Sequence, residues 1–234
     1  MDLRLAGKTA LVTGSTAGIG LAIAQSLASE GARVYVNGRT KERVDAAIDA
    51  VRSRTAGATV DGIAADFSSS AAADTIIAKL PAVDVLVNNV GIFEPKPFAE
   101  IPDADWFRFF EINVMSGVRL SRHYLSGMLA KNWGRILFIS SESAVQIPAE
   151  MVHYGMTKTA QIAVARGIAE SVAGTGVTVN SILAGPTASE GVGGFVEAMG
   201  GTIAAESPAL RKRGTRIVIR LPISGKNSSV TSST

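Results

Sequence analysis

Six short runs of this chain are mostly apolar and rich in β-branched residues, and a stretch with helical patterning separates each from the next. They are TALVTG at 9–14, ARVYVNG at 32–38, TVDGIAAD at 59–66, VDVLVNN at 83–89, GRILFIS at 134–140 and GVTVNSIL at 176–183. A strand that alternates apolar with polar residues covers one face, whereas a strand apolar throughout is buried on both. Such strands, each followed by a helix, form a parallel sheet covered on both sides, so the pattern predicts a three-layer, doubly wound α/β fold. GIGLAIAQSLASEG at 18–31 predicts a helix closed by Gly31, and TKERVDAAIDAVRSR at 40–54 a helix capped by Thr40. SSSAAADTIIAKL at 68–80 predicts a third, stopped by Pro81. A longer helical zone runs from about 103 to 131 and another helix from 153 to 173. No linker precedes about residue 200, so a single domain is expected.

With 234 residues, 47% of them hydrophobic, the chain can bury a sizeable core. It has no Cys, which excludes disulfides and thiolate metal sites and fits a reducing compartment; a cytoplasmic location is expected. The N-terminus lacks a signal-peptide layout, and no apolar run approaches the ~20 residues of a membrane span. The net charge of +3 is local. Residues 207–234 carry six Lys or Arg and no acid, while the rest of the chain is net negative. A basic tail of this kind is ordinarily a solvated end, so nucleic-acid binding is not expected.

Between the first run and the first helix lies TGSTAGIG, with Gly14, Gly18 and Gly20. A glycine turn in that place lets backbone approach a pyrophosphate and points a helix N-terminus at it. The spacing differs from the common G-x-G-x-x-G, but the strand–turn–helix context is the required one. At the end of the second strand, where a dinucleotide's adenosine ribose would lie, stand Asn37, Gly38 and Arg39. An acid there would bond a ribose 2′-hydroxyl; an Arg suits a 2′-phosphate. NADP(H) is therefore favoured, with NAD(H) possible.

In HYGMTK, Tyr154 and Lys158 stand four residues apart and share one helix face. A phenol of ordinary pKa ~10 is a poor base, but a neighbouring ammonium favours its phenolate. The pair could exchange a proton with an alcohol or carbonyl. By itself the spacing is common and mostly structural.

TGSTAGIG, NNVG at 88–91, Asn113, Ser141 and YGMTK follow the order and spacing of the short-chain dehydrogenases/reductases. The chain resembles that family from about residue 5 to 190. The resemblance implies a Rossmann-type fold and hydride transfer between NADP(H) and a carbonyl or secondary alcohol. It implies Tyr154 as acid/base, Lys158 to lower its pKa and bind the nicotinamide ribose, and Ser141, rather than Ser140, to hold the substrate oxygen. Asn113 matches the asparagine that supports a proton relay through water to the lysine. Asp66 matches the residue on the adenine amino group, with Phe67 beside it; Ser15 and Ile19 join Gly14, Gly18 and Gly20 in the turn. Asn88 and Gly91 belong to the segment backing the cofactor, and Arg39 to the phosphate site. The family threonine that meets the nicotinamide carboxamide aligns best with Ser189, with Thr187 as the alternative. By analogy Phe93, Glu94, Ile147, Met151, His153 and the loop 190–206 face the substrate, a mix that suggests a medium-sized, partly apolar carbonyl or alcohol. For His153 a packed or surface role is favoured. No metal is expected, and the family implies a homodimer or homotetramer.

The pattern departs from the family in places. Val90 and Ala184 replace residues that are usually Ala and Pro. The catalytic domain is expected over 1–206, followed by a basic, Ser/Thr-rich, partly disordered segment over 207–234. That segment lacks the family's last helix and its strand ending in Gly-Gly, although TRIVIRLP could form a strand. The alternative reading is a nucleotide-binding relative with impaired catalysis.

Overall fold

The structure, a computed structural model, describes residues 3–185 and 187 in full and the backbone of 202–206 and 216–220. It divides into two compact units, Met1–Gly185 and Pro186–Thr234. In the first unit all six expected strands form: β1 (Thr9–Val12), β2 (Arg33–Gly38), β3 (Val60–Ala64), β4 (Val85–Asn88), β5 (Gly134–Ser141) and β6 (Val177–Ala184). They make one parallel sheet in the order β3-β2-β1-β4-β5-β6. This is the Rossmann-type doubly wound arrangement.

The central strands show why their sequences are apolar throughout. Ala10 and Val12 of β1 join Val85 and Val87 of β4 on one face, while Leu11 and Leu86 lie on the other. The first face is covered by α1 (Gly18–Ser29) and α2 (Lys41–Arg54), through Ala24, Ala28, Val44, Ala47 and Val51. The second is covered by α3 (Ala71–Lys79), α5 (Ser116–Ala130) and α6 (Val152–Ser171), through Ile76, Leu120, Tyr124, Met128 and Ala165. Residues 10–12 of β1 and 85–87 of β4 are therefore buried on whichever side they point.

Local signals set the helix ends. Thr40 accepts a hydrogen bond from the Arg43 N–H at 3.4 Å, capping α2. Gly31, at φ +84°, closes α1 and donates to the Ala28 carbonyl. The third helix begins at Ala71 rather than 68, because Asp66 Oδ1 accepts from the Ser68 N–H at 3.0 Å and turns the intervening serines. The zone 103–131 is α4 (Asp103–Phe110), a π turn (Glu111–Met115) and α5. The π turn has no signature in the apolar spacing, and it carries Asn113.

Among the described residues β6 forms one edge of the sheet, with Ile182 and Leu183 exposed. The second unit contains β7 (Thr202–Glu206) paired antiparallel with β8 (Arg216–Arg220), so TRIVIRLP does contain a strand. Residue 206, where the composition changes, is the last of β7. The Ser/Thr-rich end lies outside the described residues. No helix among the described residues is long and apolar enough to cross a membrane.

Candidate active site

In an open parallel sheet, strand order reverses at one point, and the loops leaving the carboxyl ends there part to form a crevice. Here the reversal lies between β1 and β4. The turn after β1, the segment after β4 and the end of β5 meet at it, and α6 passes alongside.

The glycine turn is fitted closely to its surroundings. Gly14 and Gly18 have φ +59° and +53°, a region that L side chains enter at a cost. A Cβ on Gly20 would lie 2.4 Å from the Gly14 carbonyl oxygen and 2.5 Å from Asn89 Nδ2. The turn is also tied down by side chains. The Thr13 hydroxyl accepts from the Asn89 and Val90 N–H groups and donates to the Val87 carbonyl. Asn89 Nδ2 donates to the Thr13 and Gly14 carbonyls at 3.0 and 2.9 Å. Asn37 accepts from the Gly14 N–H through Oδ1 and donates to the Ile63 and Ala65 carbonyls. The Ser15 hydroxyl accepts from the Asn37 N–H and donates to the Val12 carbonyl. Asn37, Asn89 and Thr13 were not singled out as site residues from the sequence. Their contacts join segments far apart in the chain, so no local spacing marks them. The residue at the N-cap of α1 is Ala17, which offers no side-chain cap. Among the described residues the first-turn N–H groups thus have no side-chain cap, and the helix dipole favours an anion beside them. The cradle, its positive-φ glycines and this uncapped helix fit the pyrophosphate of a dinucleotide.

The expected catalytic residues converge beside this turn. Tyr154 and Lys158 lie in the first turns of α6, with Lys158 Nζ 5.6 Å from the centre of the phenol ring. Lys158 is 5% exposed, and its Nζ donates to the Ile139 carbonyl at 2.9 Å. Burial pulls its ammonium down to about 8. Burial pushes the Tyr154 phenol above its ordinary value, a hydrogen bond with Ser141 pulls it back, and the Glu142 carboxylate adds to the rise. Ser141 is therefore the serine at the phenol. Ser140 points the other way, is buried, and donates to the Lys158 carbonyl at 2.8 Å. Asn113 is buried in the π turn. Its amide clasps Ile92, accepting from the N–H at 2.8 Å and donating to the carbonyl at 3.0 Å, and also donates to the Thr157 hydroxyl. It thereby ties the segment after β4 to α6. A Cβ on Gly91 would lie 3.3 Å from Lys158 Nζ, so glycine there keeps the ammonium accessible from that segment.

The other expected residues divide into exposed and buried groups. Arg39 is exposed immediately after β2 and makes no ion pair among the described residues. A Cβ on Gly38 would lie 2.3 Å from Thr16 Cγ2, and Asn37 faces inward, so Arg39 is the first side chain past β2 to reach solvent. Asp66 is exposed, while the Phe67 ring packs in the core; Ile19 is half-buried in α1. Asn88 is buried and donates to the Ser121 hydroxyl at 3.1 Å. Thr187 belongs to the second unit, and Ser189 and most of the loop 190–206 lie outside the described residues. Phe93 meets the Tyr154 ring edge-on at 6.2 Å. Glu94 pairs with Arg108 at 2.8 Å, and Lys96 pairs with Asp105, anchoring this segment on α4.

His153 is packed, as favoured. It is 0% exposed, its ring is 4.0 Å from that of Phe109, and neither ring nitrogen has a hydrogen-bond partner among the described residues. Burial lowers its pKa, against the opposing pull of Asp105 and Glu94. The unfolded chain then binds a proton at higher pH than the native one, so stability falls as pH drops below the ordinary histidine range. The Tm is expected to decline between pH 7.5 and 5.5, and His153→Phe is expected to flatten that decline, as thermal melts across this range would reveal.

Comparison with known proteins agrees with this geometry. The family described as short chain dehydrogenase matches residues 8–199. An uncharacterised oxidoreductase of Bacillus subtilis (strain 168), YvaG, is 52% identical over 192 residues, covering 82% of this chain and 73% of the relative. A 3-oxoacyl-[acyl-carrier-protein] reductase of Aquifex aeolicus is 33% identical, covering 79% and 76%. The crystal structure of L-sorbose reductase from Gluconobacter frateurii, complexed with NADPH and L-sorbose, superposes with a TM-score of 0.79 at 31% identity, covering 85% of this chain and 76% of that one. Extending across the sheet, the glycine turn and the helix that carries Tyr154 and Lys158, these similarities establish that the chain belongs to the short-chain dehydrogenase/reductase family of NAD(P)-dependent oxidoreductases.

Proposed function

We propose that this chain is an NADP(H)-preferring reductase of small carbonyl compounds, or in reverse a dehydrogenase of secondary alcohols, with Tyr154 as its acid/base. The observation that carries this reading is the meeting of three groups beside the glycine turn. Ser141 is the hydrogen-bonding side chain at the Tyr154 phenol, and the buried Lys158 ammonium lies behind the ring. A bound nicotinamide would supply or accept the hydride. The protein's part is to hold the substrate oxygen between Ser141 Oγ and the Tyr154 hydroxyl. In reduction Tyr154 gives its proton to that oxygen, and Ser141 stabilises the charge gathering there. Lys158 then stabilises the phenolate until it regains a proton. Lys158 would also hold the nicotinamide ribose, and Arg39 a 2′-phosphate.

Titration with NADPH and NADH, followed by fluorescence and thermal shift, tests the cofactor half of the proposal. Tight NADPH binding is expected; binding of neither would sink it. A panel of small ketones and aldehydes tests the rest. Cofactor binding without turnover on any of them would favour the catalytically impaired alternative. Arg39→Ala is expected to weaken NADPH about tenfold while leaving NADH unchanged, the loss of one charge-assisted contact to phosphate. Equal weakening of both cofactors would remove Arg39 from the phosphate site.

A further inference from the structure

Gln161, one turn beyond Lys158 on α6, is 1% exposed. A buried amide is costly unless both its ends are paired, and an apolar side chain would fill this helix face without that cost. Both ends are paired here, and both reach residues of the proposed site. Gln161 Oε1 accepts from Lys158 Nζ at 3.3 Å, and Nε2 donates to the Asn113 carbonyl at 2.6 Å. The reverse orientation would set two donors against each other at Lys158 and two acceptors at Asn113, so the amide has one workable placement.

We propose that Gln161 is a positioning residue for proton transfer, tying the Lys158 ammonium to the Asn113 carbonyl through protein atoms. This rests on the acid–base reading of Tyr154 and Lys158. An ammonium has three donors. Two are held by the Ile139 carbonyl and Gln161, which leaves one for the site. The long lysine side chain is thereby fixed at both its acceptors. The link between Asn113 and Lys158, which the family resemblance attributes to water, is made here by a side chain. An amide does not titrate, so Gln161 orients the ammonium and does not carry the proton.

The groups around Lys158 make the expected response simple. Among the described residues its titratable neighbour is Tyr154, on the same helix. The surrounding elements present the Ile139 carbonyl from β5, Gly91 from the segment after β4 and Asn113 from the π turn, none of which titrates. Glu142 acts on Tyr154 from the turn after β5.

The test is an NMR titration of protein labelled at lysine Cε, with the Lys158 signal assigned by its loss in Lys158→Met. It needs neither cofactor nor substrate. Gln161→Met removes the acceptor and is expected to lower the Lys158 midpoint by about one pH unit. Gln161→Glu supplies a carboxylate and is expected to raise it by at least about one unit. A Gln161 that only fills space would leave the Lys158 midpoint unmoved in the methionine variant. If Gln161→Met does not fold, Gln161→Leu removes the same acceptor and gives the same reading. On a carbonyl that the parent protein reduces, Gln161→Met is also expected to lower kcat about tenfold with KM little changed, the signature of a misplaced group. An unmoved midpoint, or a moved midpoint with unchanged kcat, overturns the proposal. If Tyr154→Phe retains turnover, the acid–base reading fails and takes this proposal with it. If Tyr154→Phe is inactive but Gln161→Met is normal, only the role of Gln161 is lost.

Discussion

Tyr154→Phe is expected to lower turnover by about three orders of magnitude while leaving NADPH affinity within about twofold. The substitution removes one oxygen. The ring that remains keeps its edge-on contact with Phe93 and its place over Lys158 Nζ. What is lost is the proton and the hydrogen bond with Ser141. Steady-state rates on a reducible carbonyl, set beside the NADPH dissociation constant, separate the two effects. Near-normal turnover would refute the assignment of Tyr154. Burial pulls the Lys158 ammonium down to about 8 and pushes the Tyr154 phenol up. Alcohol oxidation needs that pair to give up a proton, so its rate should rise with pH, and carbonyl reduction should fall over the same range.

The second large effect is expected at Gly20. In a helix, Gly→Ala ordinarily stabilises by about 0.5–1 kcal/mol. At Gly20 the added methyl would lie 2.4 Å from the Gly14 carbonyl oxygen, 2.5 Å from Asn89 Nδ2 and 2.9 Å from Ser15 Cα. Two of these atoms are backbone, and the third is already bonded to the Thr13 and Gly14 carbonyls, so none can yield cheaply. The helix must back away from the turn instead. Gly20→Ala is expected to cost about 1–3 kcal/mol of stability and to weaken NADPH by about 100-fold. Gly167 in α6 is the control, since a Cβ there meets nothing within 4 Å. Gly167→Ala should raise stability with no change in cofactor affinity. Similar behaviour of the two variants in melts and NADPH titrations would show that the close fit at Gly20 does not matter.

The two large effects differ in how far they could be read before the fold was known. Tyr154 was legible because its partner is four residues away, and helical geometry alone puts both on one face. The glycines of 14–20 were legible as a turn, since they interrupt a strand-to-helix passage. The closeness of Gly20 to Asn89 was not, because those residues are brought together only when β4 pairs with β1. The family resemblance already favoured Ser141 over Ser140, but the physical reason lies in the same tertiary packing. Successive strand residues point to opposite faces, so a run of two serines offers both. The packing of β5 against α6 decides that Ser140 bonds to the Lys158 backbone and Ser141 meets the phenol.

The sequence by itself determined the layers of this protein, its strand-and-helix order, the phosphate-type turn and the tyrosine–lysine couple. Those features are written in local periods of two and 3.6 residues, or in the backbone freedom of glycine. Only the tertiary structure decided that Asn37 and Asn89 hold the turn, that a π turn presents Asn113, and that Gln161 joins Asn113 to Lys158. These depend on buried polar atoms finding partners across the sheet. Leaving a buried amide unpaired is costly, and the partner's position in the chain follows no period.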